Sequence, residues 1–272
     1  MKILILGSTG VAGNIIYRYF SKQNTLKIDT LSRTKGSTFV VDICDSQELK
    51  NVLSEIKNKN YNIILNCIGC LVEESEKNPE IAYETNTQFP KTLEKTFLPT
   101  RTKIVHLSTD CVFSGLNGPY EENRILDATK VYGKTKIMGE INNAKDLTYR
   151  VSFTGEKSDL MQFVFNNETL NGWTNAYWSG FTSLQLAKIL YENLAAPITG
   201  IYHLVDNNRS ISKYEAVKCI ADVYELQRNV TPVTLKEDLN RILKDTRKLL
   251  DIRVPSYLEQ FAELRQFHLE NI

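Results

Sequence analysis

Tyr132 and Lys136 stand four residues apart in Val131-Tyr132-Gly133-Lys134-Thr135-Lys136. On a helix that spacing puts both side chains on one face. A phenol has an ordinary pKa of about 10 and becomes a useful acid or base at neutral pH only when a cation steadies its phenolate. Upstream, the run Lys103-Ile104-Val105-His106 reads as a buried strand that closes in Leu107-Ser108-Thr109-Asp110. The hydroxyl of Thr109 thus stands at a strand's carboxyl end. Phenol, ammonium and hydroxyl together suit the reduction of a carbonyl. Tyr132 would deliver the proton, Lys136 would lower the phenol's pKa, and Thr109 would orient the substrate oxygen. Tyr-x-x-x-Lys alone is a weak signal in a chain with 13 tyrosines, so its weight rests on whether a site for a hydride donor accompanies it.

Such a site is legible at the amino end. The apolar run Ile3-Leu4-Ile5-Leu6 ends in Gly7-Ser8-Thr9-Gly10-Val11-Ala12-Gly13, and a helix-like segment follows from Asn14 to Lys22. Glycines between a strand and a helix let the backbone turn tightly and approach a pyrophosphate, which lies on the helix amino end. The spacing is G-x-x-G-x-x-G, and a strand-to-helix turn with no ligand is the alternative reading. A second strand, Leu26 to Leu31, leads into Ser32-Arg33. At that distance from the glycine turn an acid selects NAD and an arginine accepts the 2'-phosphate of NADP. Asp29 falls inside the strand, so NADP(H) is favoured and NAD(H) is the other possibility. A third strand, Phe39 to Val41, exits into Asp42-Ile43; Asp42 faces the cofactor, caps a helix from Ser46 to Ile56, or does both. A fourth, Ile63 to Leu65, ends in Asn66-Cys67-Ile68-Gly69, small residues that would let a nicotinamide ribose approach.

These elements alternate as strand and helix, which predicts an α/β fold with a doubly wound parallel sheet of Rossmann type. Residues 1–150 form the dinucleotide-binding domain, with 182–205 returning to it, and 151–181 with 206–272 form a smaller, mostly helical lobe. Within the first domain, Pro79 to Phe97 reads as one long helix despite Pro90. Asn86 inside it has poor helix propensity, so it bonds neighbouring backbone, bonds a water near the tyrosine, or is a satisfied core amide. Further on, Leu147 to Val151 reads as a sixth strand. Gly172 to Gly180, aromatic, polar and aperiodic, reads as a loop lining a pocket or as core packing between two lobes, and Thr182 to Asn193 as a helix capped by Thr182. Gly200 to Leu204 reads as a late strand, and the chain from Ile211 on as mostly helix.

The totals exclude several classes. The 272 residues are 42% hydrophobic and 24% charged with a net charge of +1, which gives no electrostatic case for nucleic acid or an anionic membrane. The apolar start stops at Gly7, too short for a signal peptide or a membrane span, so the expected location is the cytoplasm. Five cysteines, at 44, 67, 70, 111 and 219, make an odd count that argues against a disulfide framework. Cys67-Ile68-Gly69-Cys70 has redox-motif spacing but closes a strand, whereas thioredoxin-like motifs open a helix. The three histidines lie far apart, giving a metal site little support.

The glycine turn, the Asp42 exit and the Thr109/Tyr132/Lys136 set, in this order, resemble an extended short-chain dehydrogenase/reductase. Ser108-Thr109-Asp110-Cys111-Val112-Phe113-Ser114-Gly115, Pro119-Tyr120-Glu121-Glu122 and Val131 to Glu140 narrow the resemblance to the dTDP-4-dehydrorhamnose reductase family. Tyr149-Arg150-Val151-Ser152 and Gly180-Phe181-Thr182 extend it. The resemblance implies hydride transfer from NAD(P)H to a 4-keto sugar carried on a nucleoside diphosphate, in the making of a deoxysugar for a surface polysaccharide, with a homodimer as the candidate assembly. It implies the roles given above for Thr109, Tyr132 and Lys136, with Lys136 also binding the nicotinamide ribose. It places Cys70, Asp110, Cys111, Phe153 and Trp178 near substrate.

Several departures bear on which sugar and nucleotide fit. Phe153 stands where many relatives have tryptophan, and Gly180-Phe181-Thr182 stands for glycine-proline-threonine. Asp127-Ala128-Thr129-Lys130 replaces the usual proline before Tyr-Gly. Two other readings remain. Cys111 falls where GDP-fucose synthase-like epimerases carry a cysteine base, but they also need a histidine in the sugar lobe and 151–200 contains none. The regulatory subunit of methionine adenosyltransferase is also similar to these reductases, which keeps a non-catalytic, NADP-binding role in view.

Overall fold

The computed structural model describes residues 1–270. Its chain forms two compact units: 1–112 with 126–150 and 196–202, and 113–125 with 151–195 and 203–272. Compared with the sequence-based boundaries, 113–125 packs with the second unit, as does 182–195, while only 196–202 comes back to the first.

The first unit is laid out as β1 (Lys2–Leu6), α1 (Val11–Ser21), β2 (Lys27–Ser32), β3 (Phe39–Val40), α2 (Ser46–Asn58), β4 (Ile63–Asn66), α3 (Val72–Lys77), α4 (Pro79–Tyr83), α5 (Phe89–Phe97), β5 (Lys103–Ser108), α6 (Val131–Gly139) and β6 (Leu147–Arg150). With Gly200–His203 at one edge, the sheet runs Gly200–His203, β6, β5, β4, β1, β2, β3. The pairs from β6 to β3 are parallel, with Ile3 beside Ile28 and Ile63, and Val105 beside Leu147. This is the doubly wound sheet that the alternation predicts. Its order reverses between β1 and β4, and in such sheets the carboxyl ends at that point bind ligands.

Parallel strands bury both faces, so their sequences are apolar throughout rather than alternating. Leu4, Leu6, Ile64 and Ile104 meet Leu49, Leu53 and Ile56 of α2 and Phe89, Leu93 and Phe97 of α5 in one core. The alternate residues Ile3, Ile5 and Leu65 are fully buried as well. Asp45, not Asp42, caps α2: its carboxylate accepts from the amides of Gln47 and Glu48.

The stretch from Pro79 to Phe97 departs from a single regular helix. A π-helical turn, Glu84–Gln88, separates α4 from α5. Pro90 has no N–H to give the Asn86 carbonyl, and its ring would crowd that carbonyl in a regular α-helix. The wider turn relieves the conflict and leaves the Asn86 carbonyl facing α6. Gly139 packs against it so closely that a Cβ there would overlap the oxygen.

Among the described residues of the second unit, four helices, Asp159–Asn166, Ser183–Glu192, Lys213–Val223 and Tyr257–Leu269, accompany three small sheets. Thr182 caps its helix as its sequence position predicts. Two expectations need correction. Gly172 to Gly180 is not an irregular loop but the end of one strand, Thr169–Trp173, and another, Ala176–Trp178. Residues 224–256 are not helical either. Asn229–Val233 pairs in parallel with Thr169–Trp173, as its β-branched content favours. Among the described residues no helix is long and apolar enough to cross a membrane.

Because backbone rather than a mobile side chain meets Gly139, Gly139→Ala should lower stability by about 2 kcal/mol or more, the scale of overpacking a tight contact. Urea denaturation measures this, and a loss within experimental error would mean that α6 can move off the π-turn.

Candidate active site

The glycine turn is built by two close approaches. Gly7 adopts φ +78°, a region natural to glycine, and a Cβ on it would stand 2.9 Å from Ile68 Cγ1. Gly13 lies over the Gly7 carbonyl, where a Cβ would overlap the oxygen. The Gly7 amide donates to Leu31 O (2.8 Å), which ties β1 to the end of β2. Gly10 is the N-cap of α1 and offers no side-chain acceptor, and the first turn of the helix has no acid. The leading amides of Val11, Ala12 and Gly13 are therefore left with no side-chain cap, in the arrangement that receives a pyrophosphate. Ser8 is buried beside them and Thr9 is exposed. The residues present fit a dinucleotide.

At the end of β2, Ser32 is buried and its hydroxyl organises the next turn, meeting Ser37 Oγ at 2.7 Å and accepting from the Thr34 amide. Arg33 is exposed and makes no ion pair among the described residues. Asp29 sits opposite Leu4, well back from the strand end, and accepts from the Tyr61 hydroxyl. No carboxylate of β2 therefore stands at the place that reads a ribose diol. Asp42 is exposed at the exit of β3, where its Oδ1 accepts from the Cys44 amide, and Ile43 follows it half-buried. A groove between α2 and α5, lined among others by Ile43, Lys50, Lys57, Gln88 and Thr96, contains none of the catalytic candidates.

Lys136 is the centre of the remaining contacts. It is 4% exposed, and its Nζ donates to Leu107 O at 2.7 Å, two residues before Thr109. A Cβ on Gly69 would lie 3.9 Å from Nζ, so the end of β4 reaches the same point. Burial lowers the Lys136 pKa to about 8, while Glu140 and Cys67 pull the other way. Burial also pushes the Cys67 thiol up to about 12 despite Lys136, which leaves it a small neutral residue. His106, on β5 and fully buried, is held well below its usual pKa by burial and then by Lys136 and Lys91.

Tyr132, half-buried, is one turn before Lys136, and its amide donates to Glu76 Oε1 (3.4 Å). Helix α6 presses on the short turn Asp110–Val112, where a Cβ on Gly133 would overlap the Cys111 carbonyl. Thr109 is 6% exposed, and its Oγ1 donates to Asp110 Oδ1 and accepts from the Cys111 amide. Lys136 thus reaches the carboxyl end of β5 that leads into Thr109, with Tyr132 one turn earlier on the same helix, and α6 is held there by its contacts to Leu107 and Cys111. Cys70 is buried next to the same edge, its amide bonded to Asn86 Oδ1 (2.9 Å). Asn86 is fully buried; its Nδ2 donates to Cys70 O and Thr135 Oγ1, so of the readings open for it, backbone bonding and a satisfied core amide hold together.

In the second unit, Phe153 is half-buried in a strand that pairs with Phe181. The Trp178 ring is 3% exposed, packs beside Tyr257, and donates through Nε1 to Ser152 Oγ. These contacts make Trp178 part of that unit's core, which differs from a ring presented to substrate. Sequence reading gave no role to Glu140 and Arg150. Arg150 donates to both carboxylate oxygens of Glu140 at 2.7 Å, and Ser108 Oγ donates to Oε1 at 2.8 Å. An acid four residues past Lys136 was the available signal.

A family model described as the RmlD substrate binding domain matches residues 1–154. The chain belongs to this family. It is 25% identical over 255 residues to the methionine adenosyltransferase 2 subunit beta of Bos taurus, covering 86% of this chain and 75% of that one. It is 26% identical over 224 residues to the dTDP-4-dehydrorhamnose reductase of Salmonella typhimurium, covering 75% and 72%. The crystal structure of dTDP-4-dehydrorhamnose reductase from Bacillus anthracis in complex with NADP superposes with a TM-score of 0.81 at 21% identity, over 100% of this chain and 99% of that one. The extended short-chain dehydrogenase/reductase fold is thereby established.

The lowered Lys136 pKa carries a stability consequence. The folded protein binds this proton less tightly than the unfolded chain, so the cost of the buried ammonium is full below pH about 8 and fades as pH rises toward the ordinary 10.5. Lys136→Met should therefore raise Tm at neutral pH, and the gain should shrink as the pH is raised through that window. A Tm that falls at neutral pH would show that the Leu107 contact outweighs the desolvation.

Proposed function

We propose that the chain reduces the 4-keto group of a nucleoside-diphosphate 4-keto-deoxysugar, with NADPH favoured over NADH, as a cytoplasmic step in deoxysugar and surface polysaccharide synthesis. The observation that carries this reading is the buried Lys136 ammonium on the Leu107 carbonyl, on the helix of Tyr132 and at the strand end that carries Thr109. The cofactor supplies the hydride. Thr109 and Tyr132 hold the keto oxygen, and the Tyr132 hydroxyl gives up its proton as negative charge gathers there. Lys136 steadies the phenolate left behind and anchors the nicotinamide ribose. Asp110, Cys111 and Cys70 border the sugar from the first unit.

The preference for NADPH rests on the exposed Arg33, which makes no ion pair among the described residues, and on the place of Asp29 away from the strand end. The NADP bound to the Bacillus anthracis reductase agrees with it. A second reading is favoured by the methionine adenosyltransferase subunits among the relatives: the chain would bind the dinucleotide and act on a partner without turnover. Cys111-based epimerisation has no comparable support, since His203 is buried with its Nδ1 facing Lys244 O.

Incubation with NADPH and a panel of 4-keto sugar nucleotides should give cofactor oxidation and a reduced sugar, read by mass and NMR; silence across the panel, with NADPH bound, favours the regulatory reading. Tyr132→Phe should keep NADPH affinity and lower turnover at least about a hundredfold, the range for a lost general acid. Near-normal turnover would remove the phenol from the chemistry. Arg33→Ala should weaken NADPH far more than NADH, whereas equal losses would mean that the 2'-phosphate is read elsewhere.

A further inference from the structure

The carboxylate of Glu140 lies at the end of α6, one turn beyond Lys136, and is 6% exposed. Three donors converge on it: Nε and Nη2 of Arg150 from the end of β6, and the hydroxyl of Ser108 from the end of β5. Arg150 and Ser108 are neighbours in the sheet register, so the carboxylate bridges both strand ends to the helix. Ser108 follows the residue whose carbonyl receives Lys136 Nζ and precedes Thr109. The Glu140 carbonyl also accepts from Lys91 Nζ (2.8 Å), which ties α5 to the same corner. An ion pair this deep costs several kcal/mol in desolvation per charge, and apolar residues of similar volume serve stability as well or better. Stability alone is a poor account of it.

We propose that Glu140 is a positioning residue for the catalytic helix: held by Arg150 and Ser108, its carboxylate keeps the buried Lys136 charged and fixes the strand end on which that ammonium rests. This rests on the reductase reading for its purpose but not for its measurement. The groups around Lys136 support the assignment. On α6 these are Tyr132 and Glu140. From β4 comes Cys67, whose thiol burial keeps neutral. From β5 comes His106, held neutral, and from α5 comes Lys91, a cation. Arg150 on β6 is a second cation and bonds both carboxylate oxygens of Glu140. Glu76 of α3 is bonded to the Tyr132 amide, and Asp110 accepts from Thr109. Glu140 is thus the carboxylate that acts on the ammonium and raises its proton affinity.

The test is the titration of the Lys136 ammonium by nitrogen-15 NMR in the full chain without cofactor, with the signal assigned by its loss in Lys136→Met. The wild-type midpoint should lie near 8. Glu140→Gln should lower it by about one pH unit or more, a tenfold change in proton affinity. Since that variant takes the Glu140 negative charge away from the buried Arg150 guanidinium, Glu140→Leu with Arg150→Met provides a second arm that keeps the volume filled without charge. In the double variant the midpoint should fall likewise. Its turnover should drop about fivefold at the wild-type midpoint, approach a loss of about tenfold above it, and recover at lower pH, where the lysine regains its proton. An unmoved midpoint in the folded double variant overturns the proposal, as does a turnover loss equal at every pH. A wild type with no turnover on any sugar nucleotide would count against the reductase reading alone, because the titration is read without substrate.

Discussion

An ammonium buried against the Leu107 carbonyl is the constraint around which the first unit is arranged. Removing Lys136 from water penalises its charged form, and the surroundings must return enough of that penalty for the charge to survive near neutral pH. Leu107 O returns part through a short charge-assisted bond. Glu140 returns more through its field. Each of these partners must then be immobile. That requirement explains why the contacts near Lys136 are made by backbone and buried side chains, and why β4, β5 and β6 all end there.

The immobility is reached through a chain of steric causes that begins at Pro90. A proline in the second position of α5 disfavours a regular helix before it, and the turn from Glu84 to Gln88 widens. The widened turn aims Asn86 inward, where its amide closes on both backbone groups of Cys70 and on Thr135. It also presents a bare carbonyl to which only glycine at position 139 can be fitted. Thr87 completes the attachment by donating to Thr135 O. The helix of Tyr132 and Lys136 is therefore seated on a distortion, and regular helical geometry would not supply the same seat.

The sheet was readable in the sequence because parallel strands buried on both faces must be written as unbroken apolar runs, and β1, β4 and β5 are. The glycine turn was readable because Gly7 takes a left-handed φ and Gly13 meets the Gly7 carbonyl, two demands that glycine alone meets without strain. The π-turn was not: a proline inside a helical pattern announces a break or a kink but not its form. Glu140 and Arg150 lie ten residues apart and meet only because β6 lies beside β5, so pairing them required the sheet register. In the second unit the misreadings share one cause. Its strands are two to five residues long, and Thr169 to Trp178 mixes aromatic and polar residues in runs too short for a period of two to show. The resemblance placed Trp178 near substrate, yet Tyr257 and Ser152, distant in sequence, pack against and bond its ring.

The same constraint separates the two functional readings. A protein that only retained a dinucleotide would need hydrogen-bond donors toward the ribose, and a neutral amide on α6 would serve at far lower cost in desolvation. A buried cation becomes worth its cost when negative charge appears and disappears beside it, as on a phenol that gives up and regains a proton. Lys136 is buried, charged near neutrality and placed one turn from Tyr132, with a carboxylate and a carbonyl arranged to hold it so. The energy invested at this position fits proton transfer better than ligand retention, and for that reason the catalytic reading is preferred to the regulatory one.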